Sequence, residues 1–215
     1  ADVTRFGAPL LTAQKPRAFL DLNRATDELD PALIQGVSRR GQNPRVASGL
    51  GVIPRVVSNG RPIYSGKLSL AEAENRIERY WRPYHAQLQA LMDASRERFG
   101  RAILIDCHSM PHEAVRNTAC IGGGRPEIVL GDRFGASAEP DIVDSIEEAF
   151  TRAGLRVARN TPFAGAYVTR QYGRPARKQH AIQIEIDRAL YLDERTIRPN
   201  RNFEAFKSVI ETVVA

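Results

Sequence analysis

Apolar and polar residues change their spacing along the chain, and the spacing separates the elements. From Ser69 the stretch SLAEAENRIERYWRPYHAQLQALMDASRERFG opens on a serine N-cap with Glu72 at capping-box spacing and carries apolar residues at helical intervals to Gly100. This is the longest helix, and Pro83 is expected to kink it, because proline lacks an N–H and its ring meets the preceding turn. RAILIDCH follows at once as a continuous apolar run, the pattern of a central strand buried on both faces, and PEIVLGD repeats it after Gly122 to Gly124. EPDIVDSIEEAFTRAG reads as a second amphipathic helix stopped by Gly154, LRVARN as a strand, HAIQIEIDR as a third strong strand and NFEAFKSVIETVV as a terminal helix. Near the start, RAFLDLN, Arg17 to Asn23, reads as a short strand ending in polar residues. The stretch from there to Ser65 is rich in Gly, Pro and Arg with little periodicity, a long loop that is either a substrate lid or a disordered insertion. Strands alternating with helices define an α/β chain of three layers, a mixed central sheet with helices on both faces, and no internal repeat or linker divides it.

Composition narrows the function classes. A chain of 215 residues is long enough for a single well-buried domain, and 42% hydrophobic with 26% charged residues is ordinary globular composition. No apolar run approaches the length needed to cross a bilayer, and ADVTRFGAPL has neither the charged nor the hydrophobic region of a signal peptide, so no membrane role is expected. The two cysteines, Cys107 and Cys120, form no Cys-x-x-Cys pair, which fits a reducing cytoplasm. The net charge of +6 is mostly arginine, whose fork binds carboxylates and phosphates. Because ENRIERYWRP and ASRERFG mix signs rather than forming a basic stripe, nucleic acid is not the expected partner.

Ligands of open α/β sheets gather at the carboxyl ends of strands. Three predicted strands end in capable groups: Asp21 to Arg24, Asp106 to Ser109 and Glu185 to Arg188. His108 at a strand terminus is a candidate metal ligand or a structural histidine, with Asp106 two residues before it as an orienting acceptor or a cap. Ser109 lacks a G-x-S-x-G elbow, and Cys107 points away from His108 and is expected in the core. In AIQIEID, Ile182, Ile184 and Ile186 point one way and Gln183, Glu185 and Asp187 the other, so the polar face lines a cleft, with Glu185 as a general base, or is the wet face of an edge strand. Asn23 and Arg24 suit a carboxylate. Arg170 and Arg174 add cations in a Gly-containing loop with Tyr167. His85, His112 and His180 read as structural or supporting, and Gly122 to Gly124 as a turn, not a phosphate loop.

Taken in order, FLDLNR, PYHAQLQAL, LIDCHSMP, PEIVLGDRFG, NTPFAGAYVTRQYGRP and HAIQIEIDRALYLDE resemble the N-formylglutamate amidohydrolases, over most of the chain from Phe19 to Glu194. The resemblance implies zinc-dependent hydrolysis of a formyl amide to formate and an amino acid, on a fold similar to the zinc carboxypeptidases. It implies His108 as a zinc ligand, Glu185 as the catalytic glutamate, Asn23 and Arg24 as the receptor of the substrate carboxylate, and Tyr167 as a mobile tyrosine; the cations Arg170 or Arg174 are expected to assist Arg24 in holding the substrate's carboxylates. Members of the family usually begin with a His-Ser-Gly or His-Asp-Gly segment followed by acidic residues that complete the metal site. The sequence starts at Ala1 without it, so the remaining ligands are expected from an upstream segment. Gln171 stands where TRHYG is more usual, and glutamine cannot shuttle protons. The expected partner is a small N-acyl amino acid. Rival readings are a carboxypeptidase-like or N-acyl amino acid deacylase and a metal-free carboxylate-binding module.

Overall fold

The alternation read in HAIQIEIDR organises the sheet. In the computed structural model, which describes residues 3–38, 43–57, 60–120 and 123–214, this stretch is β4 (Gln179–Asp187), a strand with neighbours on both sides. β1 (Ala102–Met110) pairs parallel to it, β2 (Ile128–Gly131) antiparallel, and β3 (Val157–Arg159) adds parallel to β2, in the order β1-β4-β2-β3. The result is a mixed α/β fold. The chain divides into two compact units, Leu11–Leu91 and the combination of Ala1–Leu10 with Met92–Ala215.

In the sheet-bearing unit one face is apolar. Ile182 and Ile184 of β4 join Ile128 and Leu130 of β2, and α4 (Pro140–Arg152) covers them with Ile142, Val143 and Phe150. Ile210 and Val213 of α6 (Phe203–Val214) pack against the same cluster. Burying isoleucines of this size is the main stabilising term, worth about 1.5–3 kcal/mol for each fully buried side chain. The opposite face carries a smaller apolar cluster of Met110, Val115 and Val129 and, beside it, the polar row of β4. Gly131 lies on that face, and a Cβ there would stand 2.6 Å from the Gly165 nitrogen and 2.7 Å from the Ala164 carbonyl carbon. Its bare backbone lets the segment 163–165 cross the sheet and lead into α5 (Tyr167–Tyr172), a helix that packs against β4 and β1.

β1 differs from the expected central strand. Among the described residues it pairs with β4 alone, and Ile103, Ile105 and Cys107, in register with His180, Ile182 and Ile184 on the isoleucine face, are exposed. A continuous apolar run marks a strand without saying which neighbours it has, and Cys107 is therefore at the surface rather than in the core.

The second unit departs further. Arg17 to Asn23 is not a strand: the Asp21 carboxylate accepts the Asn23 N–H at 2.9 Å, turning the chain, while the Asp21 N–H donates to Val52 O at 2.8 Å. The stretch expected as a lid or a disordered insertion is a packed coil among the described residues. Leu33, Ile34, Val52 and Ile53 are buried with Leu20, Ala73 and Ile77, and one helical turn, α1 (Pro44–Ala47), is its regular element among the described residues. The long helix starts where expected, since the Ser69 hydroxyl accepts the Glu72 N–H at 3.1 Å. It runs as α2 (Leu70–Arg76), a π segment (Ile77–Trp81) and α3 (Arg82–Phe99). The π segment ends just before Pro83, where the missing N–H and the ring bulk are absorbed by widening the turn rather than by breaking the helix.

His180, at the start of β4, is fully buried on the isoleucine face. Its Nδ1 accepts the Glu139 N–H at 3.3 Å, and its Nε2 has no hydrogen-bond partner, with the Glu139 carboxylate 3.9 Å away. Burial pulls its pKa below the ordinary histidine value, opposed by Glu139, reinforced by Lys178, opposed by Asp141 and reinforced by Arg101. A histidine titrates near ~6.5 when unfolded, so the unfolded chain binds more protons as pH falls through that value and stability drops toward acid. Urea midpoints measured at about pH 7.5 and about pH 5.5 should therefore fall more for the native protein than for His180→Phe.

Candidate active site

The parallel register of β1 and β4 sets Asp106 beside Gln183, His108 beside Glu185 and Met110 beside Asp187. Paired residues of a parallel ladder share a face, so Asp106 and His108 stand with Gln183, Glu185 and Asp187 on the polar face of the sheet. Glu185 and Gln183 are buried, and the Gln183 amide donates to Glu185 Oε1 at 2.8 Å. His108 Nε2 lies 3.0 Å from Asp106 Oδ2, with both side chains about one-sixth exposed. Three residues proposed from the sequence alone, Asp106, His108 and Glu185, are thus brought together on one strand pair. Gln183 completes the group by fixing Glu185, and its signal was its place in the alternation of β4.

At the carboxyl ends of these strands the polar row continues. Asp187 is buried, accepts the Ala189 N–H through Oδ1 at 2.9 Å, and lies 2.7 Å from His112 Nδ1 through Oδ2. Arg188 donates to the Ser109 hydroxyl at 3.1 Å and to its carbonyl at 3.2 Å, with Glu194 at 3.8 Å. Ser109 is thereby a hydrogen-bonding partner of an arginine rather than a nucleophile.

Tyr167 opens α5 half-buried, with the Arg170 guanidinium 5.7 Å from its ring centre, and Arg170, Gln171 and Arg174 are exposed. In the turn preceding Arg125, Gly123 and Gly124 both have positive φ, while Gly122 lies outside the described residues.

Asn23 and Arg24 lie in the other unit, and their surroundings are those of a rigid turn. Arg24 is buried, with Nε donating to Leu50 O at 3.1 Å and Nη1 to Asn23 O at 2.8 Å. Trp81 Nε1 donates to the Arg24 carbonyl at 2.9 Å, and the Trp81 ring lies against His85, whose Nε2 meets Leu22 O at 2.9 Å. Burial lowers the Arg24 pKa, with Asp21, 3.8 Å from Nε, opposing it. The guanidinium is held in one orientation by carbonyls, and such pre-organisation reduces the entropy lost on gripping an anion.

Zinc was expected at His108. A catalytic zinc takes about three protein donors plus water, whereas among the described residues no group of three His, Cys, Asp or Glu side chains stands close enough to hold a metal. Asp106 is taken up by the His108 ring and Glu185 by Gln183. On donor count these residues do not by themselves make a zinc site. Among the described residues no helix is long and apolar enough to cross a membrane.

The family model for N-formylglutamate amidohydrolase matches residues 1–192. The chain is 32% identical over 195 residues to an N-formylglutamate deformylase of Pseudomonas putida, an overlap of 87% of this chain and 66% of that protein. It is 31% identical over 196 residues to the N-formylglutamate deformylase of Pseudomonas aeruginosa, covering 88% of this chain and 66% of the relative. The chain therefore spans just under two thirds of the length of these curated relatives. The crystal structure of an N-formylglutamate amidohydrolase from Ralstonia eutropha JMP134 superposes with a TM-score of 0.84 at 37% identity, covering 93% of this chain and 72% of that one. A gene product of Agrobacterium tumefaciens at 18% identity and a TM-score of 0.54, covering 92% of this chain and 66% of that one, shares the fold.

Proposed function

The chain belongs to the N-formylglutamate amidohydrolase family, and from that premise we propose that it hydrolyses the formyl amide of N-formyl-L-glutamate to formate and L-glutamate. The observation that supports this most is the placement of Glu185 in register with His108 on one buried polar face. A carboxylate held by Gln183 at 2.8 Å is a fixed proton acceptor. In this reading Glu185 takes a proton from the attacking water, the oxygen bonds to the formyl carbon, and the same proton passes to the amide nitrogen as the carbon–nitrogen bond breaks. The pre-oriented Arg24 with Asn23 receives the α-carboxylate of the substrate, and Arg170, Arg174 and Tyr167 serve the same substrate from α5 and the turn after it. His108 is the donor this chain would offer to the zinc that the family resemblance implies, with Asp106 orienting its ring. A place in the cytoplasmic breakdown of histidine is part of the same proposal.

Purified protein incubated with N-formylglutamate should release formate, and assays with a chelator and with added zinc measure whether a metal is needed. Absence of formate under every metal condition would falsify the proposal. Because the Asn23–Arg24 turn reads a carboxylate and not an acyl group, N-acetyl and peptidyl substrates assayed beside the formyl compound separate a deformylase from a broader deacylase. A protein that binds these carboxylates and cleaves none of them is a binding module.

A further inference from the structure

The mouth of the polar face holds a cation that the proposed reaction has not used. His112 follows β1 after Pro111 and is fixed twice: Glu194 Oε2 accepts its backbone N–H at 3.0 Å, and Asp187 Oδ2 lies 2.7 Å from its Nδ1. With both Asp187 oxygens engaged, the ring donates from Nδ1, so Nε2 is an acceptor in the neutral ring. The Arg125 guanidinium meets that atom, Nη1 to Nε2, at 3.4 Å. The Arg125 carbonyl accepts from Arg156 Nε at 2.7 Å, which anchors its backbone while the side chain reaches outward. Arg125 is exposed and, among the described residues, no carboxylate lies within ion-pair distance of it, in contrast to Arg188 with Glu194 and Arg156 with Glu127.

We infer that Arg125, aimed by His112 and Asp187, receives the side-chain carboxylate of an acidic N-acyl amino acid and so sets the preference for dicarboxylate substrates. The inference rests on the reading of Glu185 as the reacting centre. Asp187 stands one repeat beyond Glu185 on the same face, a step of about 6.6 Å. His112 and Arg125 continue outward from it, so a side chain pointing away from the reacting formyl group meets a guanidinium whose fork matches a carboxylate. Arg125 would be a substrate-binding residue, and His112 and Asp187 positioning residues.

The test measures binding and turnover in the full chain separately. Glutarate and butyrate differ by one carboxylate, and calorimetry should show glutarate bound about tenfold or more tightly by the native protein. Arg125→Ala should remove that preference and leave butyrate binding unchanged, Arg125→Lys should restore part of it, and His112→Ala should weaken it while His112→Gln, which keeps an acceptor, recovers it. In formate assays Arg125→Ala should raise KM for N-formylglutamate about tenfold or more, with kcat nearly unchanged and N-formylglutamine unaffected. A native protein without preference for glutarate, or a preference that survives in Arg125→Ala, overturns the inference. If the preference depends on Arg125 and no formate appears, the carboxylate site stands and the deformylase reading fails.

Discussion

Glu185→Gln should leave the protein folded and lower formate release from N-formylglutamate by about 10²–10⁴-fold, the usual contribution of a positioned general base. The substitution is chosen because it changes the chemistry and little else. Glu185 is buried, and its Oε1 accepts from the Gln183 amide at 2.8 Å. A glutamine carbonyl at 185 can accept the same hydrogen bond in the same volume, so the side chain stays in place while the capacity to take a proton is lost. Formate release under substrate saturation reads kcat, and glutarate calorimetry reads binding. The expected result is a fall in the first with the second unchanged. A variant that keeps most of its kcat would place the base elsewhere on the polar face. One that loses glutarate binding as well would show that residue 185 shapes the site rather than accepting its proton.

The elements legible in the sequence are those whose pattern survives regardless of neighbours. Strict alternation in AIQIEID put isoleucines on one face and Gln183, Glu185 and Asp187 on the other, and β4 has that arrangement, with Ile182 and Ile184 in the core and Glu185 beside His108. The amphipathic stripes of α4 and α6 were equally plain, and so was the serine cap of α2. What failed was governed by contacts that a local pattern does not carry. RAFLDLN has the apolar content of a strand, but the Asp21 carboxylate competes for the backbone N–H of Asn23 and turns the chain. The region from Arg24 to Ser65 looked unstructured because its buried residues, Leu33, Ile34, Val52 and Ile53, pack from irregular backbone with no period to read. α5 escaped notice as a six-residue helix entered after Gly165 and left at Gly173. The same distinction divides the site. His108 and Glu185 announced themselves by lying at strand ends, whereas Arg125 and His112 meet from two separate connections, and no spacing in the sequence records that meeting.

Gly131→Val should cost about 3 kcal/mol, the upper part of the usual range for forcing side-chain volume into packed structure. For a chain of this length that is a fall in Tm of roughly 6–12 °C. The reason is space rather than backbone conformation, since Gly131 is not among the glycines with positive φ. A Cβ there would meet three backbone atoms, Gly165 N at 2.6 Å, Ala164 C at 2.7 Å and Phe163 O at 3.0 Å, and backbone cannot swing aside as a flexible side chain can. Gly66→Ala is the matched control, because nothing lies within 4 Å of its Cβ position and its φ is not positive, and it should change Tm little. Relief of the clash can come from lifting the segment 163–165 off the sheet, and that segment leads directly into Tyr167 and α5. Formate release by Gly131→Val, assayed well below its melting temperature, should therefore fall further than the unfolded fraction accounts for. Full activity in the folded protein would mean that the crossing segment stabilises the sheet without positioning the residues it carries.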